Sequence, residues 1–182
     1  MTDKLLKGKI VADSITEKLK EEVKILNDKN IKPKLSIIRV GERPDDISYE
    51  KGATKRCESI GIDFEVVKLD ESISLEKYLE VLEKLNNDNS VNGILCLRPL
   101  PKHIDENIVK YKISPKKDVD CFNPINLSKL IENDKTGFTP CTPSAVIEIL
   151  KYYNINLEGA NVCVLGRSMV VGKPCSILLL NE

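Results

Sequence analysis

Neither sign of charge prevails in this chain: 28 Lys and Arg stand against 28 Asp and Glu in 182 residues. No global field is therefore available to draw in nucleic acid or an anionic membrane, and no basic stripe is interleaved with aromatics. No apolar run approaches the roughly 20 residues of a membrane helix, and the opening MTDKLLKGKIVADSI lacks the apolar stretch of a signal peptide. These absences predict a cytoplasmic protein with no nucleic-acid or membrane partner. The 6 cysteines (57, 96, 121, 141, 163 and 175) are scattered without a C-x-x-C pair, and His103 is the one imidazole. A disulfide scaffold or a metal site would need clustering that is missing, so these read as buried or incidental thiols. Internal repeats, low-complexity tracts, metal motifs and a nucleophile-base-acid triad are also lacking.

What is present is an α/β alternation. A chain of this size buries roughly 70% of its unfolded surface and forms one domain or a little more. Apolar positions from Ile10 to Ile25 recur at helical spacing, and Leu35 to Val40 reads as a buried strand ending at Gly41. Helical periodicity returns from Asp45 to Ser59, with Asp45 or Asp46 as N-cap and Gly61 just past the end. DFEVVKLD, LEKYLEVLEKLNN and VNGILCL continue the pattern as strand, helix and strand. Three strands joined through helices predict right-handed crossovers and a parallel sheet. RPLPKHID then halts the third strand in a loop. Ligands of such sheets bind beyond the carboxyl ends of the strands, which makes Gly41, Pro99 and the loop after them candidate pocket material.

Further on, TPSAVIEILKYYNI is a helix to about Tyr153, with Thr142 placed to cap it and Pro143 at its first position. NVCVLGRSMVVGKPCSILLL reads as an apolar strand, a glycine turn and a helix. The predicted fold class is thus α/β: a three-layer parallel-sheet domain over residues 1–140, then over 141–182 a connecting helix and the first β-α unit of a Rossmann-like NAD(P)-binding domain.

Four places can carry chemistry. At Gly166-Arg167-Ser168 a glycine lets backbone approach a phosphate, the next helix offers free N–H groups, and Arg167 can pair with the extra phosphate that separates NADP from NAD. The spacing from Gly166 to Gly172 is not G-x-G-x-x-G, however, and a plain strand-turn-helix also explains it. Asp118 and Asp120, two apart, share one face of an extended segment and could hold the N–H pair of a polar heterocycle; the plainer reading is a solvated acidic turn. Tyr49 lies on the helix after Gly41, near the expected cleft, where packing is the plainer reading. His103 has no evident partner and reads as an exposed loop residue.

Taken in order, S-Y-x(11)-G-I from Ser48 to Ile62, GILCLRPLPKHID, KKDVD, GFTPCTP and GRSMVVGKP resemble the methylenetetrahydrofolate dehydrogenase/cyclohydrolase family over essentially the whole chain. The resemblance implies oxidation of 5,10-methylenetetrahydrofolate by hydride transfer to NADP, often followed by hydrolysis of the methenyl product, in a homodimer. It implies that Tyr49 lies beside the pterin and the one-carbon unit, and that Asp120 holds the pterin ring, making both catalytic. Leu97 and Pro99 would line the folate site, and Gly166, Arg167, Ser168 and Gly172 the cofactor turn.

Departures from the family pattern qualify that picture. The family lysine four residues after the tyrosine, tied to hydrolysis, is here Ala53, and the glutamine of V-Q-L-P-L-P is Leu97. Lys51 and Lys55 point roughly 160° and 120° away from the Tyr49 face; Arg56 returns to it but makes a poor base. The two losses are coupled, since a buried amide without its partner costs about 1–3 kcal/mol. The expectation is a dehydrogenase with weak or lost cyclohydrolase activity. A bifunctional enzyme and a non-catalytic folate-binding fragment are the alternatives, because the family's chains continue well beyond residue 182.

Overall fold

The computed structural model describes residues 5–182. In chain order its elements are α1 (Gly8–Asp28), β1 (Lys34–Val40), α2 (Pro44–Ile60), β2 (Asp63–Leu69), α3 (Leu75–Asn87), β3 (Gly93–Cys96), α4 (Glu106–Lys112), α5 (Pro124–Ile131), α6 (Cys141–Tyr152) and α7 (Gly172–Leu180). The three strands form a parallel sheet in the order β2-β1-β3, with Ile37 opposite both Val66 and Leu95.

Strand alternation sets the layers. Ile38 and Val40 of β1, with Ile94 and Cys96 of β3, bury against Tyr78, Leu82 and Leu85 of α3 and Val109 of α4. Ile37 and Leu95, one residue out of phase, face the other way and join Leu97 and Ala53 of α2 in a second cluster. Each such aliphatic side chain, taken out of water, stabilises the fold by about 1.5–3 kcal/mol. Arg39 shares the Ile37 face and donates through Nε to Glu50 Oε2 of α2, a pair almost wholly enclosed. That bond helps fix α2 over the strand ends. A third cluster of Leu130, Ile147 and Leu178 packs α5, α6 and α7 together.

Local signals set several helix ends. Gly61 ends α2 in the left-handed region at φ 80, and its N–H reaches Cys57 O. Ser74, Asp105 and Asn123 cap α3, α4 and α5 through their side chains. At two expected caps the structure differs. Pro44 opens α2, so Asp45 and Asp46 fall in its first turn and Arg43 is the cap residue. Likewise Pro140 precedes α6, and Thr142 lies inside the helix.

The largest departure concerns residues 161–165, which form no strand. A parallel strand needs a neighbour for its N–H and C=O groups, and among the described residues β2, β1 and β3 pair only with one another. Val162 is 54% and Leu165 96% exposed.

Candidate active site

The carboxyl end of β3 and the loop after it open into a cavity of about 570 Å³ beside the first turns of α2. Tyr49, Leu97, Pro99 and Asp120 all line it, so the structure brings together the residues that the sequence separates by up to 71 positions. Gly41 lies instead beside a neighbouring 370 Å³ cavity, with Pro99 between the two. Asp46, Arg98, Cys141 and Val170, not singled out from the sequence as site residues, complete much of the wall. Arg98 had a signal, as a charge within the apolar β3-to-loop run. The contribution of α6 had none, because only folding brings Cys141 beside Asp120.

Tyr49 is 56% exposed, projecting into the cavity rather than packing in a core. Partial desolvation raises the pKa of its phenol, and the Asp120 charge adds to that shift. Asp120 is held from two sides: Arg98 Nη2 donates to Oδ2 at 3.1 Å, and the Cys141 backbone N–H to Oδ1 at 3.3 Å. Beneath it the Arg98 guanidinium stacks over Phe122, 4.3 Å from the ring centroid. The carboxylate is therefore oriented, with lone pairs left for a ligand.

Asp118 goes elsewhere. It is 1% exposed and accepts from Phe122 N (3.0 Å), Asn123 N (2.7 Å) and Asn126 Nδ2 (3.0 Å). The two carboxylates thus do not share a face, because Asp118 joins the edge of β3 through a bridge to Ile94 and the chain turns immediately after it. The solvated-turn reading fails for Asp118 as well: it is the buried post around which the Asp120 loop is wound. His103 is exposed but not unpartnered, since its Nε2 lies 3.0 Å from Ile73 O.

Ala53 is half-buried against the cluster that contains Leu97, so the two positions that depart together are neighbours in an apolar wall. Lys51 and Lys55 are exposed, and Arg56 leaves the stripe by donating to Thr16 Oγ1 of α1. None of these three cations lines the cavity.

Two thiols sit close to the carboxylates. Burial, reinforced by the charges of Asp118 and Asp120, pushes Cys121 up to about 12; burial and Asp120 push Cys141 up to about 11. Both are therefore thiols, not thiolates, at neutral pH. Alkylation of Cys141 and Cys121 by iodoacetamide is expected to be slow at pH 8 and to rise about tenfold per pH unit while the thiolate remains the minor form. Mass-spectrometric rates that are flat with pH would contradict this.

At the other end of the chain, Gly166 (φ 140) and Gly172 meet so closely that a Cβ on Gly172 would lie 2.4 Å from Gly166 O. Ser168 Oγ accepts from the N–H groups of Val171 and Gly172 at the start of α7. Gly166, Arg167 and Ser168 are exposed, while Gly172 is buried in the turn. A tight glycine turn with an adjacent guanidinium and hydroxyl fits a phosphate ester of a dinucleotide.

These two features define a class: a parallel α/β layer with a ligand cleft at its strand ends, followed by a nucleotide-type turn opening a helix. The sequence matches the family profile "Tetrahydrofolate dehydrogenase/cyclohydrolase, catalytic domain" over residues 6–120, and that of the family's NAD(P)-binding domain over 140–182. The chain belongs to the tetrahydrofolate dehydrogenase/cyclohydrolase family. It is 61% identical over 178 residues to the bifunctional protein FolD of Clostridioides difficile, covering 98% of this chain and 62% of that one. The crystal structure of the bifunctional FolD of Campylobacter jejuni superposes with a TM-score of 0.94 at 41% identity, over 97% of this chain and 62% of that one. A Trypanosoma brucei FolD solved with NADP cofactor and inhibitor gives 0.90 at 34% identity, over 96% and 60%. The chain thus spans about three fifths of the length of these relatives. Among the described residues no helix is long and apolar enough to cross a membrane.

Proposed function

We propose that this chain carries the folate site of a 5,10-methylenetetrahydrofolate dehydrogenase in which cyclohydrolase activity is weak or lost. The observation that carries the reading is the apolar contact of Ala53 with the Leu97 cluster, where the resemblance calls for a lysine and its supporting glutamine. Tyr49 and Asp120 act on the substrate: the phenol packs beside the one-carbon bridge, and the carboxylate, held by Arg98, accepts from the pterin N–H pair. Leu97 and Pro99 wall the ring off from water. NADP, when bound, accepts the hydride; Gly166, Arg167, Ser168 and Gly172 hold its phosphate end. Hydride transfer needs chiefly alignment of two carbons. Hydrolysis needs a proton-transfer group, and Ala53 supplies none.

Residues 1–140 form the substrate domain and 141–182 belong to the cofactor domain. The full enzyme works as a cytoplasmic homodimer. Separate assays test the division of labour: NADP-dependent oxidation of 5,10-methylenetetrahydrofolate is expected, with methenyltetrahydrofolate hydrolysis no faster than in buffer. Hydrolysis well above the buffer rate would sink it. The alternative is a folate-binding module. Folate binding with no effect of added NADP would support that instead.

A further inference from the structure

Asp46 is the least explained group in the cavity wall. The residue is 7% exposed, yet it faces the same cavity as Tyr49 and sits one turn before it on α2. At about 100° per residue, position 53 falls within about 20° of position 46, so Asp46, Tyr49 and Ala53 make one stripe. The other enclosed acids here have close donors: Asp120 has Arg98 and Cys141 N, and Glu106 Oε1 accepts from Leu100 N at 2.7 Å. Among the described residues Asp46 has a loose ion pair with Arg43, Nε to Oδ2 3.8 Å, and no hydrogen bond to its carboxylate. Arg43 is itself 45% exposed and spends Nη1 on Pro99 O.

An acid in the first turn offsets the helix dipole, but Asp45, alongside and exposed, already does that without burial. The Asp46 side chain is nevertheless not sealed off: its carboxylate opens onto the cavity, where a bound ligand can meet it. A carboxylate that faces a ligand with no hydrogen-bond donor of its own favours a cation there.

Resting on the folate reading above, the reaction makes one. The C–H bond of the bridging carbon breaks and both its electrons leave with the hydride, which reduces the nicotinamide of NADP. The folate is oxidised, no proton is released, and one positive charge remains shared between that carbon and its two flanking nitrogens. We propose that Asp46 is the counter-ion of this charge, so that the cavity prefers the cationic methenyl form over neutral folate rings. With alanine at 53 there is no ammonium on the stripe to oppose the preference.

The test is rapid-mixing titration of the 182-residue chain with 5,10-methenyltetrahydrofolate, a cation, and tetrahydrofolate, whose ring is neutral. Asp46→Asn should weaken methenyl binding on the order of tenfold or more and leave tetrahydrofolate within about twofold. Asp46→Glu should recover most of the preference, and added salt should erode it in the wild type. An equal change for both ligands, or none, overturns the counter-ion role while leaving the folate site standing. A wild type that binds neither ligand overturns the folate reading and this one with it. If thermal melting shows that Asp46→Asn does not fold, the wild-type salt dependence decides, and a preference indifferent to salt counts against the proposal.

Discussion

Ala53→Lys combined with Leu97→Gln is expected to raise methenyltetrahydrofolate hydrolysis roughly 10²-fold or more, with the oxidation rate changed only a few-fold. The expectation follows from the packing. Ala53 projects from α2 onto the wall formed by Ile37, Leu95 and Leu97. A lysine at 53 reaches the cavity along the Tyr49 stripe, but beside Leu97 its ammonium meets hydrocarbon and pays for desolvation. Glutamine at 97 supplies an amide oxygen to receive it. Conversely, Leu97→Gln alone buries an amide that has no partner and costs about 1–3 kcal/mol. The two substitutions should therefore be strongly non-additive in both stability and hydrolysis, which a double-mutant cycle reads directly. Hydrolysis in the double variant that stays at the buffer rate would show that this pair is not what separates the two half-reactions.

Asp118→Ala should lower the free energy of unfolding by about 3–5 kcal/mol, a fall in Tm on the order of 10 °C. One carboxylate here receives three donors in a site closed to water. Its removal strands two backbone N–H groups and one N–H of the Asn126 amide, which keeps its bond to Pro115 O. The bridge from Asp118 to Ile94 fastens this loop to β3, and Asp120 lies two residues on. Loss of the post should therefore also loosen Asp120 and weaken folate binding. Asp120→Asn should do the opposite, with little effect on Tm and a large loss of folate affinity, because its carboxylate stands at the cavity edge. Chemical denaturation and folate titration of both variants separate the two roles. Equal Tm losses would mean that Asp120 is structural too.

Tyr49 and the α2 stripe were legible in the sequence because helical periodicity is local: once residues 45 to 59 are read as a helix, 49 and 53 must share a face. The same holds for the glycine turn at 166 and for the strand alternation that sets Ile37 against Ile38. The pairing of Arg98 with Asp120 across 22 residues was not legible, since nothing in either segment specifies the other. Nor was the divergence of Asp118 from Asp120: two residues apart in an extended strand they would point the same way, and only the turn after the bridge to Ile94 separates them. The strand expected at 161–165 shows the converse. Its residues have strand propensity, but hydrogen-bonding partners, not propensity, make a strand.

The sequence by itself determined the periodicities, the helix-ending glycine, the parallel α/β order and the methyl side chain at position 53. These are properties of single segments, fixed by backbone sterics and side-chain chemistry. Tertiary structure alone decided which acids are pillars and which face the cavity: Asp118 is buried among donors, Asp120 is clamped by Arg98, and Asp46 lines the wall with only a loose ion pair. Burial and partnership depend on distances between segments, and packing of the sheet against its helices sets those distances.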